Sequence, residues 1–339
     1  MHKKHLYFRN GLILLHIIFA IFGFYTYFFN YRLSENLLIQ KTLNKQLIIA
    51  NSGSSSVENL LKSIQNELSS FVFSFAKISE SSAIDLKSTR EEFIAYMQRS
   101  QLPVNGIALY DANGALVIIE NRIHIRTGEG QDFSKAEFIK YSQNPLNKGR
   151  VFISTPNIGT AGASTGKIII IVAKPIYFGN SYKGTIAIRV LVDDFKNAFI
   201  APLVSGTDEA TFIVDSNAVL IAGNNKLLNK NLLIYAREKK WPHYKEFINK
   251  FSRAIKTNKT QDTWAFQNPD EKPQMQLVGI SKIDIPGTDK DLYVVVATSK
   301  EGIISSLNAL KTYGIAWLGF GVFTTILGGL IVMLLRTSE

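Results

Sequence analysis

The sequence contains no cysteine, which excludes disulfides, thiolate metal sites and cysteine nucleophiles. Histidine is scarce, and the five present are spread along the chain at His2, His5, His16, His124 and His243. Three lie at or in the apolar N-terminal region, and the other two, His124 and His243, are too few and too far apart in sequence to indicate a metal centre. The sequence also lacks a glycine-rich phosphate loop that opens a helix, a nucleophile elbow and an HExxH motif. We therefore predict no cofactor, no metal and no enzymatic activity.

Charged residues are absent from two long apolar stretches, residues 12–29 and residues 313–335. At a rise of about 1.5 Å per residue, each stretch is long enough as a helix to cross, or nearly cross, a hydrocarbon core of about 30 Å. Basic residues precede the first stretch and follow the second, at Lys3, Lys4, Arg9 and Arg336. The positive-inside rule then places both flanks in the cytoplasm and exports the residues between the two stretches.

A cleaved signal peptide is the alternative for the first stretch, but residues 30–32 (Asn-Tyr-Arg) do not form a small-residue cleavage site. The sequence therefore predicts a two-pass protein of the inner (cytoplasmic) membrane, with its main domain periplasmic or extracellular. Residues 336–339 follow the second stretch and are too few for a cytoplasmic output domain.

The formal net charge of +11 would suggest nucleic-acid binding in a cytosolic protein. Export separates the main domain from nucleic acid, so we expect no nucleic-acid partner. Residues 226–259, here called the basic segment, hold ten Lys or Arg against two Glu, a net charge of +8. This basic segment is either a solvated helical face or a contact for anionic lipid headgroups or a surface polymer.

Helical spacing in residues 31–49 and 57–79 predicts a long stalk helix. The second of these ranges contains one apolar stripe, formed by Val57, Leu60, Leu61, Ile64, Leu68, Phe71, Val72 and Phe75. Residues 51–56 (Asn-Ser-Gly-Ser-Ser-Ser) predict either a kink or a break in this helix. Ser88 and Thr89, with Glu91 and Glu92 three residues later, predict a capping box that begins a third helix.

Strand signals follow Pro103. Two β-rich runs, 106–111 and 115–120, flank an Asn-Gly turn and predict a hairpin. A short helix at 133–142 and strands at 150–154, 167–177 and 184–192 are predicted to complete an antiparallel sheet flanked by helices. The same order then recurs, because residues 210–220 resemble residues 106–116 at an offset of 104. Segments 281–283 and 292–298 likewise resemble 174–176 and 185–191, so we predict two tandem modules.

Several short motifs then resemble a known family. Residues 130–138 (Gly-Gln-Asp-Phe-Ser-Lys-Ala-Glu-Phe) are similar to a G-x-D-hydrophobic-S-x-R-x-Y/F-F segment, and motifs at 154–156, 165–167, 173–176 and 184–195 follow in order. Over residues 32–312 the chain resembles the double Cache (tandem PAS-like) extracytoplasmic sensor domains of bacterial chemoreceptors, sensor histidine kinases and diguanylate cyclases. The resemblance implies an α+β fold with a long N-terminal stalk helix and two tandem PAS-like antiparallel-sheet modules, flanked by two transmembrane helices.

The predicted domain boundaries follow from these elements. They are a cytoplasmic N-terminus (1–9), transmembrane helix 1 (10–31), stalk and lead-in helices (32–102), the membrane-distal first module (103–203), the membrane-proximal second module (204–299), a signalling helix (300–312), transmembrane helix 2 (313–335) and a cytoplasmic tail (336–339).

The resemblance implies a small-molecule pocket in the first module. Many relatives have an arginine where this chain has Ala136, and amino-acid-binding relatives have an aspartate where it has Arg189, so a standard amino-acid ligand is disfavoured. Strand alternation places Arg189 on one face with Ala187 and Leu191, and the family geometry makes this the pocket face. A guanidinium there favours a carboxylate or phosphate.

We therefore predict a small anionic metabolite, such as an organic acid, as the ligand. Lys174 is expected to add a second cation, and Ser154 and Tyr110 to supply hydroxyls. The complete set of candidate ligand-binding residues is Arg189, Lys174, Ser154, Tyr110, Asp132 and Phe138. The alternative is that Arg189 forms a structural ion pair with Asp132 or Glu120.

The predicted function is a membrane-anchored sensor that signals through its transmembrane helices to a cytoplasmic or membrane partner. A homodimer through the stalk and transmembrane helix 2 is expected, since Gly321, Thr325 and Gly329 place small residues on one helix face. The alternatives are the sensor half of a truncated or split receptor enzyme (diguanylate cyclase, histidine kinase or chemoreceptor) and an envelope scaffold with a degenerate pocket. An exported hydrolase would need a catalytic constellation, which the sequence does not show.

Overall fold

The computed structural model describes residues 2–78, 85–203, 209–223, 225–240, 244–256, 261–268, 274–285, 287–288 and 290–337. The chain divides into two compact units. One unit comprises Met1–Thr42 and Ser299–Glu339, and the other comprises Leu43–Thr298.

A single helix, α1 (His2–Ile78), begins the chain and runs through residues 51–56 without a break. Small residues in this stretch let the helix approach the second module closely. A Cβ atom on Gly53 would lie 3.3 Å from Val294 Cγ1, and the Ser54 hydroxyl is 2.8 Å from that of Ser281. On the opposing strand, a Cβ on Gly279 would lie 2.6 Å from the Gln46 carbonyl carbon. The serine and glycine residues are therefore used for close packing and not for a kink or break.

Helix α2 (Leu86–Arg99) follows, and Asp85 is its N-cap, with a carboxylate that accepts a hydrogen bond of 3.0 Å from the Lys87 backbone N–H. The predicted capping box at Ser88 and Thr89 was wrong, because the earlier Asp85 already accepts from the first turn. Phe93 of α2 meets the edge of Phe71 on α1 at a centroid distance of 5.4 Å.

The first sheet contains six strands and is antiparallel. Its strands are β1 (Gly106–Asp111), β2 (Leu116–Glu120), β3 (Phe152–Ile153), β4 (Asn157–Ile158), β5 (Ile168–Phe178) and β6 (Ser181–Leu191), and α3 (Glu137–Gln143) lies between β2 and β3. The order is β2-β1-β6-β5-β3, with β4 also paired to β5. Short helical turns lie between these elements at Pro145–Asn147 and Gly162–Ser164. Others follow β6 at Val192–Phe195 (α4), Lys196–Ile200 and Ala201–Leu203.

The second sheet repeats this arrangement with five strands. They are β7 (Glu209–Asp215), β8 (Leu220–Ala222), β9 (Gln261–Asn268), β10 (Gln274–Ile283) and β11 (Leu292–Ser299), joined by a turn at Asn225–Leu227 and by helices α5 (Leu232–Glu238) and α6 (Tyr244–Lys256). The order β8-β7-β11-β10-β9 matches the path β2-β1-β6-β5-β3 of the first sheet, which has β4 in addition, so the predicted tandem repeat is confirmed.

The hairpin turns of the two modules also share one hydrogen-bond pattern. Asp111 Oδ1 accepts from the backbone N–H groups of Asn113 (2.9 Å) and Ala115 (2.8 Å). Asp215 Oδ1 accepts from Asn217 and Val219 at the same two distances. The aspartate side chain therefore accepts two backbone N–H groups of each turn, beside the backbone hydrogen bonds that Asp111 and Asp215 also make there.

Side-chain alternation divides the strand residues between three hydrophobic cores. The largest, here called the shared core, packs α1 against one face of both sheets and includes Leu61, Ile64, Ile188, Val190, Val294 and Val296. The other face of the first sheet packs against α3, with Ala108, Phe138, Ile171 and Ala187. The other face of the second sheet is covered by α5 and α6, with Leu232, Ala236, Phe251, Val278 and Val295.

The unit that contains both ends of the described chain is helical. After β11 come α7 (Lys300–Ile304), a turn at Ser305–Leu307 and α8 (Asn308–Thr337). Among the described residues, one helical segment, Lys311–Ile331, is long and apolar enough to cross a membrane. Residues 12–29 are helical within α1, and their membrane crossing stays a prediction. In this unit the Tyr27 hydroxyl donates to the Lys311 carbonyl at 3.3 Å.

Candidate functional site

A cavity of about 260 Å³ lies on the face of the first sheet that points away from α1. Strands β1, β5 and β6 form its floor, the N-terminal end of α3 forms one wall, and the chain from β3 to residue 160 forms another. Its polar lining residues are Tyr110, Glu137, Ser154, Asn157, Thr160 and Arg189. The aromatic rings of Phe133, Phe138 and Phe152 also line the cavity.

Arg189 reaches this cavity because of the alternation of β6. Ile188 and Val190 face the shared core, whereas Ala187 belongs to the core on the cavity side. The structure thus places Arg189 on the face that the sequence pattern indicates. Across the sheet its partner on β5 is Ile171, which also lines the cavity.

The Arg189 guanidinium is buried, with 2% of the residue exposed. Nη1 donates to the Ala161 carbonyl at 2.8 Å and is 3.4 Å from Ser164 Oγ. Nη2 donates to the Tyr110 hydroxyl at 2.6 Å. The third donor atom, Nε, is buried and has no hydrogen-bond partner in the structure. The described hydrogen-bond partners of the Arg189 guanidinium are therefore all uncharged oxygens.

The two acidic residues expected as alternative partners of Arg189 are used elsewhere. Glu120 is fully buried and pairs with Arg90 Nη1 and Arg126 Nε, each at 2.7 Å. Asp132 is exposed, and its carboxylate accepts the Ser134 backbone N–H at 2.8 Å. Within the part of the chain that the structure describes, Arg189 has no ion-pair partner.

Three other predicted site residues line the same cavity. Tyr110 is fully buried, and its ring meets Phe138 at a centroid distance of 5.0 Å. Ser154 is also buried, and its Oγ accepts the Ile171 backbone N–H at 2.9 Å. The structure thus brings Arg189, Tyr110, Ser154 and Phe138 together around one space.

Lys174, predicted as the second cation, does not line the cavity. It lies three positions after Ile171, the residue opposite Arg189, and an odd offset along a strand places a side chain on the other face. Its ammonium group instead donates to Ser69 Oγ of α1 at 2.7 Å. Partial burial there lowers the pKa of Lys174.

Asp132 also lies outside the cavity lining. It sits in the loop before α3 and makes a bridge with Ala115. Hydrogen bonds from the Ser134 backbone N–H and hydroxyl lower the pKa of its carboxyl group. Asp132 therefore stabilises the conformation of the loop before α3. Residues that follow it in the same motif form the cavity wall.

The sequence prediction missed several lining residues. Glu137 is exposed in the first turn of α3 and is the one acidic residue among the described residues that line the cavity. Ala136, where relatives have arginine, lines the cavity too. Asn157 of β4 and Thr160 after it come from residues 155–166, a stretch rich in Gly, Ser and Thr whose loop-like composition was the available signal. Because loops carry no periodicity, the sequence did not show which of their side chains turn inward.

Among the described residues, no group of three or more His, Asp or Glu side chains is placed to hold a metal ion. His124 is half-exposed and lies 3.6 Å from Glu120 Oε2, and His243 lies outside the described residues.

Comparison with known proteins supports the fold. No model of a known protein family matches the chain, and no curated protein matches it. Among solved structures, the periplasmic sensory domain of the Campylobacter jejuni chemoreceptor Tlp1 has 13% identity and a TM-score of 0.63, covering 79% of this chain and 98% of that one. The ligand-binding domain of the Pseudomonas fluorescens chemoreceptor CtaA, in complex with L-isoleucine, has 14% identity and a TM-score of 0.59, covering 81% and 99%.

The extracellular domain of the histidine kinase rpHK1S-Z16 is similar as well, with 14% identity, a TM-score of 0.60 and coverage of 78% and 98%. At these identities the likeness shows the fold. The chain has the fold of the periplasmic ligand-binding sensor domains of chemoreceptors and histidine kinases, in agreement with the double Cache resemblance.

Proposed function

We propose that this chain, on its double Cache fold, is a membrane-anchored extracytoplasmic sensor that binds a small anionic metabolite in the cavity of its first module. It signals through its membrane helices to a cytoplasmic or membrane partner. The observation that carries the proposal is Arg189, a buried guanidinium at the cavity whose described neighbours include no acidic partner.

An anion would complete the interactions of Arg189. A guanidinium stays charged at physiological pH, and burial of an unpaired charge costs several kcal/mol. The oxygens of Ala161, Ser164 and Tyr110 offset part of this cost, but Nε has no acceptor among the described residues. A carboxylate or phosphate in the cavity would supply both an acceptor and the opposite charge.

The cavity limits the size of the ligand. Its volume of about 260 Å³ is slightly smaller than the range of about 300–1,000 Å³ that is usual for small-molecule sites. The aromatic rings of Phe133, Phe138 and Phe152 favour an apolar body beside the acid group. We therefore expect a short organic acid.

A zwitterionic amino acid is the principal rival ligand, because the solved domains of CtaA and of the Campylobacter jejuni chemoreceptor Tlp3 are complexes with L-isoleucine and L-valine. In this chain Glu137 could face an ammonium group from the cavity wall, although it is exposed. An acid without an amine would place no positive group there. The two ligand classes therefore differ in their dependence on Glu137.

Membrane anchoring rests on the two apolar stretches. Lys311–Ile331 meets the length and hydropathy that a span requires. Residues 12–29 are helical, and most of the large apolar side chains that the structure describes in this range are exposed, as shown by Phe22 with 66% of its surface accessible. Exposed apolar surface of this extent favours a lipid environment. We propose that both stretches span the membrane.

The shared core offers a route for the signal. β6 carries Arg189 on its cavity face, while Ile188 and Val190 of the same strand pack in the core that contains α1. A shift of β6 on ligand binding would change the packing of α1, which reaches the first apolar stretch.

A homodimer through α1 and α8 is part of the same proposal. In α8 the Thr325 hydroxyl donates a hydrogen bond of 2.8 Å to the Gly321 carbonyl. The hydroxyl therefore has its hydrogen-bond partner within the same helix.

Ligand binding to the full chain in detergent micelles tests the proposal, by isothermal titration of lactate, propionate, succinate, phosphate, L-isoleucine and L-valine. We expect at least one acid to bind, and Arg189→Met to weaken that binding at least 30-fold, since charge-assisted bonds of about 2–3 kcal/mol are lost. Glu137→Gln should leave binding of the acid unchanged or improved.

Lys135→Met is the matched control, because Lys135 is an exposed cation outside the cavity lining. Thermal unfolding without ligand shows whether Arg189→Met is folded. Binding of the acid that is equally tight in wild type and Arg189→Met would refute the role of Arg189. Loss of amino-acid binding in Glu137→Gln would instead identify a zwitterionic ligand.

A further inference from the structure

The described residues of the basic segment form the outer surface of one side of the second module. Helices α5 and α6 bury Leu232, Ala236 and Phe251 against β10 and β11, so their opposite sides face solvent. Exposed cations lie on these two helices and the turn between them, at Arg237, Lys239, Lys240, Lys245, Arg253 and Lys256. We call this set the basic face.

Apolar and aromatic groups accompany the charges. Tyr235 of α5 lies beneath two ammonium groups, with Lys230 Nζ 5.2 Å and Lys239 Nζ 5.9 Å from the ring centroid. The neighbouring Ile234 has 45% of its surface exposed. Cations around a half-buried ring and an exposed aliphatic side chain are typical of surfaces that lie at a lipid headgroup layer.

The sequence provides little acidic compensation, because two glutamates stand against ten Lys or Arg in the basic segment. In a purely solvated helical face, opposite charges usually alternate along the helix. The single-sign excess is therefore better explained by an anionic partner.

We infer that the basic face docks on the anionic phospholipid headgroups of the membrane in which the chain is anchored, an inference that rests on the anchoring part of the proposed function. Residues 300–310 separate the last strand of the second module from the candidate span. At most about 3.5 Å per residue, this tether restricts the module to within about 40 Å of the bilayer. A surface held so close meets headgroups at high local concentration.

Headgroup attraction decays within a Debye length of about 10 Å at 0.1 M salt. Each Lys or Arg close to an anionic surface adds about five-fold to the binding constant. Reversal of three of the six cations should therefore reduce docking by at least about 100-fold. Docking should depend on lipid charge and fall with added salt.

Lysine reactivity of the full chain in lipid nanodiscs tests this inference. Acylation rates of Lys239, Lys240, Lys245 and Lys256 would be read by mass spectrometry in discs of phosphatidylcholine alone and of phosphatidylcholine with 30% phosphatidylglycerol. We expect at least five-fold slower acylation in the anionic discs, and recovery of the rate in 0.5 M NaCl. The exposed Lys135 and Lys183 of the first module are internal controls whose rates should match in the two discs.

A triple variant, Lys239→Glu, Lys240→Glu and Lys245→Glu, should lose the protection of Lys256 in anionic discs. The matched control reverses Lys135, Lys140 and Lys183, which are exposed on the first module, and should retain it. Thermal unfolding of both variants shows that they are folded.

The outcomes separate the inference from the proposed function on which it rests. If the chain fails to co-elute with the discs, both anchoring and docking are refuted. If it inserts but Lys256 reacts equally in both discs, docking is refuted and anchoring stands. Slow acylation in both discs, or slow acylation that persists in 0.5 M NaCl, would mean a contact within the protein or with another protein and would also refute headgroup docking.

Discussion

Lys174 should destabilise the fold at neutral pH, because its ammonium group is placed between the first sheet and α1. It has a single hydrogen bond among the described residues, 2.7 Å to Ser69 Oγ, and partial burial lowers its pKa. Substitution by Met removes the charge and keeps the length of the side chain. Ser69 remains satisfied, since its hydroxyl also donates to the Gln65 carbonyl at 2.6 Å.

The sign of the pH dependence follows from the lowered pKa. Below the folded-state pKa, Lys174 is charged in both states, and the full cost of burying the charge opposes folding. As the pH rises through the folded-state pKa towards the ordinary value of 10.5, the native lysine loses its proton first and the cost disappears. The advantage of Lys174→Met should therefore be largest at neutral pH and decrease in alkaline solution.

We expect Lys174→Met to raise the free energy of unfolding by about 1 kcal/mol at pH 7. Replacement of a buried ion pair by well-packed apolar groups gains up to about 1–4 kcal/mol, and the partial exposure of the single charge of Lys174 argues for the lower end. Thermal unfolding of the full chain in detergent, followed by circular dichroism, should show a midpoint about 2–4 °C higher. Lys183→Met on the exposed part of β6 is the control and should change stability by less than about 0.5 kcal/mol. A lower midpoint at pH 7, or a difference that grows between pH 7 and pH 10, would refute this reasoning.

Four further substitutions test the turns and strands of the modules by the same thermal measurement. Gly184→Ala should cost about 3 kcal/mol or more, since φ is +151° and a Cβ atom would lie 2.2 Å from the Tyr110 carbonyl oxygen. Gly179→Ala, with φ +58° and no atom within 4 Å, should cost about 1 kcal/mol, and equal losses would contradict the steric argument. Asp215→Ala should cost about 2–3 kcal/mol and Asp111→Ala about 1–2 kcal/mol, because each carboxylate accepts two backbone N–H groups but Asp215 is the more buried. A larger loss for Asp111→Ala would contradict the dependence on burial.

The repeated sheets could be predicted because their signals are local. The Asp-x-Asn turn at residues 111–113 recurs at 215–217 and has the same hydrogen bonds in both modules. Alternation on β6 was also enough to place Arg189 on a single face. These features depend on residues within a few positions of one another, so one sequence was sufficient.

The failures depend on partners distant in sequence. Lys174 was placed in the site because the register between β5 and β6 was not known, and the partner of Arg189 proved to be Ile171. Residues 51–56 looked like a helix breaker because the close approach of Ser281 cannot be read locally. Glu137 was missed because the space that it lines is formed by the β3–β4 region and the α3 wall together.

The shared core has a consequence for how the unit Leu43–Thr298 unfolds. Residues of α1, of the first sheet and of the second sheet bury one continuous apolar surface, and the Val151 backbone N–H in the first module bonds the Gly287 carbonyl in the second at 2.9 Å. Neither module can therefore close its interior alone, and the two should melt as one cooperative unit rather than in sequence. A molecule held beside Arg189 would thus protect amide hydrogens of β7 and β11 from exchange, although it contacts neither strand.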